Sequence, residues 1–351
     1  MQRYRPTPAL LGYRLPAEWE PHQGTWLSWP HNRATWPGKF EPVEPVMVKA
    51  VQALCEGETV HINVLDAVHE AHVGRLFERA GVSGSIRFYR FPTNDAWCRD
   101  HGAIFVTRLS EGKQELAAID CEYNAWGSKY PPYDLDNAIP KRMAEALEIP
   151  RFEAHMVLEG GSIDVNGRGL LLTTEQCLLN PNRNPDLSRA DIEQRLGDLF
   201  GVKQVLWLGH GIAGDDTDGH IDDITRFVSE NTVVTVVEGD SNDENFEPLQ
   251  ENLERLRSMR LPDGSPLRVI TLPMPAPLYY QGQRLPASYA NFYIANRIVL
   301  LPCFNDPNDV LAAQILRSCF PNRRIIGIEC TGLIRGLGAF HCLTQQIPAA
   351  A

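Results

Sequence analysis

The sequence has no C-x-x-C pair, no Ser/Gly tract, no excess of basic residues and no long apolar run. Its eight cysteines (Cys55, Cys98, Cys121, Cys177, Cys303, Cys319, Cys330 and Cys342) are scattered. That spacing argues against a zinc site and against a disulfide framework. Without a long apolar run there is no bilayer-spanning helix to expect. Met1–Pro6 leads into prolines rather than an apolar stretch, so no secretory leader is expected, and the thiols are expected to be reduced in a cytoplasm. The net charge of −11 argues against nucleic acid and suits a cationic partner. With 43% apolar and 22% charged residues the composition is that of a globular protein. No linker interrupts the 351 residues, which read as one domain, 1–351.

What is present is concentrated in one stretch. Gly214–Asp223 packs five aspartates around His220 and runs into an Ile/Phe/Val segment. The glycines and acids read as a tight loop and the apolar run as a strand. On an extended backbone His220 and Asp222, two apart, face the same side. An imidazole beside a carboxylate can shuttle protons. Paired carboxylates suit a planar cation that takes paired hydrogen bonds, such as a guanidinium. A solvated acidic turn or a cation loop is the alternative. An EF-hand is excluded, because with Gly219 as the turn glycine the first and last ligand positions fall on Gly214 and Thr225.

The rest of the chain repeats a pattern. Helical spacing marks Pro45–Cys55, Ala67–Ala80, Asn137–Leu147, Glu247–Met259 and Val310–Cys319. Ser188, with Asp191 three residues on, caps a helix that runs to Phe200. Strands are expected at Thr59–Leu65, Ser85–Phe91, Ala103–Thr107, Arg151–Leu158, Gln204–Leu208, Leu267–Leu272, Ile298–Leu301 and Arg324–Ile328. A hairpin turns at Asn166–Gly167 between Ile163–Val165 and Leu170–Thr174. Polar loops fall near 26, 98, 160, 220, 290 and 340. A repeated supersecondary unit is a repeat architecture. Five units of helix, strand, polar loop and hairpin would put every polar loop on one face of a ring that the last loop closes.

Three further loops bring reactive side chains. The face of Trp97 can bind a cation, and Asp100 can hold a guanidinium edge. As plainer roles, Trp97 fills core and Arg99 pairs with Asp100. Glu159, at a strand end before two glycines, either orients an imidazole or caps a turn. Cys342 follows a glycine-containing turn, and a nearby cation would favour its thiolate. His341 is its neighbour, but neighbours on a strand face opposite ways, so His220 across the ring is the better partner.

These motifs together resemble the agmatine deiminase and bacterial peptidylarginine deiminase family of the guanidine-modifying α/β-propeller (pentein) superfamily. The likeness rests on Trp19–His22 with Trp26 and Trp29, Asn94–Asp95–Ala96–Trp97 with Arg99–Asp100, and Glu159–Ser162. It rests equally on Leu178–Pro185, Asp216–Asp222 and His341–Cys342 with Thr344–Gln346. It covers nearly the whole chain. It implies an α/β fold, a five-bladed pseudo-symmetric propeller of ββαβ units. It implies Cys342 as nucleophile, His220 as general acid/base, Glu159 as the partner of that histidine, Asp100 and Asp222 as the guanidinium grip, and Trp97 as a pocket wall. No metal and no organic cofactor are expected. The expected reaction is hydrolysis of agmatine to N-carbamoylputrescine and ammonia in polyamine biosynthesis, with peptidyl-arginine as the alternative substrate. For the ammonium end of agmatine, Asp216 and Asp218 are the expected acceptors; the acidic loop has no arginine to serve a carboxylate instead, although Arg99 or Arg183 could reach from elsewhere. A homodimer is compatible with the family. Cys98 stands where relatives tend to carry a larger apolar residue, and Leu337, Ala339 and Phe340 interrupt a commonly glycine-rich run.

Overall fold

The computed structural model describes residues 6–350; Met1–Arg5, most of the stretch read above for a leader, lie outside them. Five sheets of the same make follow one another along the chain. In the second blade β4 (Ile104–Ser110) pairs antiparallel with β5 (Lys113–Glu122), which pairs in parallel with β6 (Arg151–Val157). The third repeats this with β7 (Asp164–Val165), β8 (Leu170–Thr174) and β9 (Gln204–Leu208). So do the fourth, with β10 (Thr225–Ser229), β11 (Thr232–Val237) and β12 (Arg268–Pro273), and the fifth, with β15 (Tyr293–Ile294), β16 (Ile298–Cys303) and β17 (Arg324–Glu329). Between them a small hairpin, β13 (Tyr279–Tyr280) with β14 (Gln283–Arg284), stands apart.

The first blade is assembled from both ends of the chain. β1 (His22–Ser28) pairs in parallel with β2 (Thr59–Asn63), β2 with β3 (Ile86–Tyr89), and β1 takes its antiparallel partner from β18 (Thr344–Pro348). The expected closure of the ring is therefore made by backbone hydrogen bonds between residues more than three hundred positions apart.

The central strands β8, β11 and β16 are buried on both faces, which is why β11 reads Thr-Val-Val-Thr-Val-Val and β16 begins Ile-Val-Leu-Leu. Each parallel pair needs a crossover. These are the helices Val43–Leu54, Ala67–Ala80, Ile139–Ala146, Arg189–Phe200, Phe246–Ser258 and Asn308–Cys319. Arg189–Phe200 buries Ile192, Leu196, Leu199 and Phe200 along one stripe, and both halves of the Ser188/Asp191 capping box form.

Four expectations need correction. β5 was not foreseen: it opens on Lys113–Gln114–Glu115, too polar to show a core pattern, and only the Glu111–Gly112 turn, with φ of 51° and 77°, signals the hairpin. β11 was also missed as a separate strand. The expected helix 137–147 is two, Asp134–Asn137 and Ile139–Ala146. Ile221–Asp223 is a 3-10 turn and the strand starts only at Thr225, so the convergence of His220 and Asp222 comes from a turn and not from an extended backbone. All eight cysteines are free, and no helix among the described residues is long and apolar enough to cross a membrane.

Candidate active site

A short loop precedes the first strand of every blade: Cys98–His101, Gly160–Ser162, Ile221–Asp223, Ser288–Asn291 and Phe340–Leu343. The five loops form a circle, and hydrogen bonds join neighbours at four of its five junctions; Gly160–Ser162 and Ile221–Asp223 meet by packing alone. Gly161 N donates to Asp100 Oδ1 at 3.0 Å, Ser288 Oγ donates to the Asp223 carbonyl at 2.7 Å, His341 N donates to the Asn291 carbonyl at 3.2 Å, and Arg99 Nε donates to the His341 carbonyl at 3.2 Å. Gly161 is the pivot of this circle. A methyl group there would stand 2.6 Å from His220 Nδ1, 2.8 Å from Asp100 Oδ1 and 3.1 Å from Asp222 Oδ2. Three side chains from two loops thus converge on one spot, which only a glycine leaves clear.

Asp100 is buried and accepts from Trp126 Nε1 at 3.0 Å through its second oxygen. Burial first, then the charges of Asp222 and Glu159, push its carboxyl up to about 6, against the pull of His220 and Trp126. His220 Nδ1 lies 3.8 Å from Asp100 Oδ1, and both ring nitrogens lack a protein hydrogen bond. Burial alone would keep this imidazole neutral; Asp100, and behind it Cys177 and Glu159, outweigh burial and lift it well above the ordinary histidine value.

Asp222 Oδ2 takes a hydrogen bond from His341 Nδ1 at 2.7 Å and faces Cys342 Sγ at 3.6 Å. Burial works against its charge, but His341, His220 and Arg226 hold it below the usual carboxylate range. Cys342 is also buried, and burial together with Asp222, Asp223 and Asp100 raises its thiol well above the ordinary range. With no substrate bound, the sulfur is a thiol.

Trp97 and Cys342 lie at the base of a cavity of about 930 Å³ whose walls include Trp126, Tyr130, Asp216, Tyr280 and Arg335. Trp97 leans on Trp36, ring centroids 5.6 Å apart, and on Gly338, where a methyl group would come within 2.5 Å of the indole. That glycine is the one the interrupted run Leu337–Phe340 retains. Phe340–Leu343 is a helical turn rather than a strand, so His341 points back to the axis while Cys342 faces the cavity.

The remaining expected residues are placed differently. Glu159 gives one oxygen to Arg183 Nε at 2.7 Å; the other has no partner, and a carboxylate oxygen lies within 4.8 Å of a His220 ring nitrogen. Glu159 thus acts on the imidazole in this state by charge rather than by a hydrogen bond. Asp218 is spent on Arg183, Asn182 and Lys129 and does not line the cavity. Asp216 does line it, but Tyr130 Oη donates to one oxygen and Lys129 Nζ lies 3.4 Å from the other. Arg99 pairs with Glu18 and Gln346, not with Asp100, and Arg183 is buried against Glu159, so neither faces a substrate carboxylate. The arginines on the wall are Arg33 and Arg335, the latter stacked on Tyr280 at 4.5 Å with a buried Nη1 left without a partner.

Four residues were not foreseen in these roles. Glu18 takes hydrogen bonds from His341 Nε2 at 2.8 Å and Ile294 N at 2.7 Å and pairs with Arg226 at 3.0 Å. Trp126 holds Asp100, Asp215 caps the acidic loop through the backbone N–H groups of Thr217, Gly219 and His220, and Cys177 packs behind His220 and Glu159.

A ring of five ββαβ blades with a cysteine, a histidine and carboxylates converging at its axis is the architecture of the guanidine-modifying α/β propellers. Within that class the chain belongs to the Porphyromonas-type peptidyl-arginine deiminase family, whose model matches residues 14–348. It is 35% identical over 366 residues to an agmatine deiminase of Pseudomonas aeruginosa, covering 98% of this chain and 97% of that one. Among solved structures, an agmatine deiminase of Enterococcus faecalis superposes with a TM-score of 0.89 at 32% identity, covering 98% of both chains. A substrate-bound agmatine deiminase of C. jejuni does so with a TM-score of 0.86 at 33% identity, covering 96% of this chain and 97% of the other.

Proposed function

We propose that this protein is an agmatine deiminase, a hydrolase that converts agmatine to N-carbamoylputrescine and ammonia. The observation that carries this reading is the convergence of Asp100, Asp222 and His220 on one buried spot beside the Cys342 sulfur, in a chain similar to agmatine deiminases over nearly its whole length.

Asp100 and Asp222 hold the guanidinium with its central carbon over Cys342. The incoming cation offsets the three carboxylates that keep the sulfur protonated, and the thiol proton leaves to solvent. The thiolate forms the S–C bond. His220, charged at rest, protonates the departing nitrogen, the C–N bond breaks and ammonia leaves, giving a thiouronium. The neutral imidazole then takes a proton from water as its oxygen bonds to carbon. The S–C bond breaks, the hydroxyl proton of the departing ureido group passes to sulfur and restores the thiol, and the proton first released to solvent is balanced by ammonia leaving as ammonium. Glu159, itself held by Arg183, keeps His220 charged at the start of each cycle. Trp97 walls the alkyl chain, and Asp216 at the cavity wall receives the far ammonium in exchange for Lys129. No step needs a metal or an organic cofactor.

One observation favours a second reading. Arg335 presents an unpartnered Nη1 in the cavity wall, which would suit a substrate that keeps a carboxylate or a peptide carbonyl, as peptidyl-arginine does. Ammonia release measured side by side with agmatine, arginine, dimethylarginine and an arginine peptide separates the two. Agmatine is expected to lead by at least about tenfold in kcat/KM; a peptide that matches or exceeds it replaces the first reading with the second.

A further inference from the structure

Cys177 is packed against His220, and the proposed cycle gives it no task. It sits on the helical turn Glu175–Leu178, directly after β8. That turn is stitched to the acidic loop. Cys177 N donates to Thr174 Oγ1 at 3.1 Å, and the same hydroxyl donates to the carbonyl of Gly219, the residue before His220, at 2.6 Å. Gln176 Oε1 accepts from Gly211 N at 2.7 Å.

The Cys177 sulfur, a His220 ring nitrogen and a Glu159 carboxylate oxygen all lie within 4.8 Å of one another, and the three residues are fully buried. Both ring nitrogens of His220 and the second oxygen of Glu159 have no protein partner. Buried polar atoms are ordinarily paired, so orphans this close together mark a place for a ligand.

The donors say what kind. A thiol that can ionise, an imidazole and a carboxylate are the donor types that zinc takes. A point equidistant from three atoms 4.8 Å apart is about 2.8 Å from each, against zinc bonds of about 2.0–2.3 Å, so each donor needs to move by less than about 1 Å. The charges close as well. Zinc brings two positive charges while the Cys177 thiol proton and the His220 proton leave, so the net charge of this buried centre is unchanged. Arg183 Nε, on the other oxygen of Glu159 at 2.7 Å, holds the carboxylate in place, as the partners of metal-bound carboxylates do.

We propose that Glu159, Cys177 and His220 form an inhibitory zinc site: the ion takes the imidazole that the proposed cycle needs as its acid, with the Cys177 thiolate as a ligand and water in the fourth position. The protein works without the ion and is silenced by it. Cysteine spacing could not announce such a site, because its donors come from three separate loops. A rival trio, Asp222, Asp223 and Cys342, is equally close. Its carboxylates are already engaged, Asp222 by His341 Nδ1 at 2.7 Å and Asp223 by Asn291 Nδ2 at 2.9 Å.

The test reads binding rather than turnover, so it holds whichever guanidine is the substrate. Cobalt(II) is the probe, because a thiolate ligand gives it a near-ultraviolet charge-transfer band and a tetrahedral site gives it strong visible bands. Both should form in the full-length wild-type protein and in Cys342→Ala, and neither in Cys177→Ser. Zinc chloride should displace the cobalt and suppress ammonia release, and EDTA should restore that release. Calorimetric zinc affinity should fall by at least about 100-fold in Cys177→Ser. Bands that vanish in Cys342→Ala and persist in Cys177→Ser put the ion on the rival trio and overturn the proposal. So does a zinc affinity indifferent to Cys177→Ser, or a wild-type protein that neither binds cobalt nor loses activity in zinc. A measurement without any substitution stands beside these, should Cys177→Ser not fold. Anomalous diffraction from wild-type crystals soaked in zinc chloride should place a peak among Glu159, Cys177 and His220; a peak only elsewhere, or none at a zinc concentration that inhibits, is fatal to the proposal.

Discussion

His341 Nδ1 donates to Asp222 Oδ2 at 2.7 Å, so the residue next to Cys342 in sequence holds the carboxylate that faces the Cys342 sulfur in space. Its other ring nitrogen reaches Glu18 at 2.8 Å. Ionised carboxylates only accept. A ring bonded to two of them donates from both nitrogens and supplies the positive charge between them. His341→Leu should leave Asp222 and Glu18 buried with a partner missing, a change that typically costs about 3–5 kcal/mol. Urea denaturation should show a loss of that size, and kcat/KM should fall by more than about tenfold. A His341→Leu protein as stable and active as the parent would show that the bridge is dispensable.

Asp100 sets an acid limb. Its carboxyl is raised to about 6, above the value near 3.8 that it recovers on unfolding. The folded state therefore binds a proton more readily than the unfolded one, and ionising Asp100 costs stability that is fully lost above about pH 6 and recovered as pH falls toward 4. Activity runs the opposite way, because only the charged form grips a guanidinium. The kcat/KM profile should drop below about pH 6. Asp100→Asn should abolish turnover yet melt higher than wild type at pH 7, by up to about 3 kcal/mol of added stability. A profile flat down to pH 4.5 would remove Asp100 from the grip.

Cys342→Ala should abolish ammonia release with the fold intact. Cys98, two residues before Asp100, is also buried, and burial pushes its thiol up to about 12, so it is inert filling. Cys98→Ala should keep most of the activity and cost about 1 kcal/mol for the small cavity. The reverse pattern, a dead Cys98→Ala and an active Cys342→Ala, would mean that the nucleophile is misassigned.

Asp216 and Lys129 give opposite outcomes. Asp216→Asn should raise KM for agmatine more than it lowers kcat, since the contact is far from the breaking bond. Lys129→Met removes the cation that shares Asp216 with the substrate ammonium. The pair is partly exposed, so its KM should fall by no more than about threefold. If Asp216→Asn leaves KM and the agmatine/arginine preference unchanged, Asp216 only shapes its turn.

How much of this was legible in the sequence followed from the range of the contacts. The acidic loop, Cys342 after its glycine turn, and the Ser188 capping box are local patterns, and each stands where its pattern placed it. The recurrence of polar loops foretold the loops at the axis, including the one near 290, but the loop expected near 26 is the strand β1, whose tryptophans disguised it as a turn. The bridge from Glu18 to His341 spans 323 positions and leaves no periodic trace. Trp126 sits in a turn with φ of 54°, a conformation that its residue type does not announce. Asp218 was read from its place in an acidic run; only the structure reveals that Arg183, Asn182 and Lys129 claim it first.

The pairing of β1 with β18 also makes the ring a clasp. Cys342 stands two residues before Thr344, where the closing strand begins, so whatever loosens that strand withdraws the sulfur from its carboxylates while the other four blades keep their own sheets. Catalysis is then the most fragile reporter of closure. In mild denaturant ammonia release should be lost before the circular dichroism changes, and in a chain still being synthesised four blades can be complete around a centre that has yet to receive Cys342.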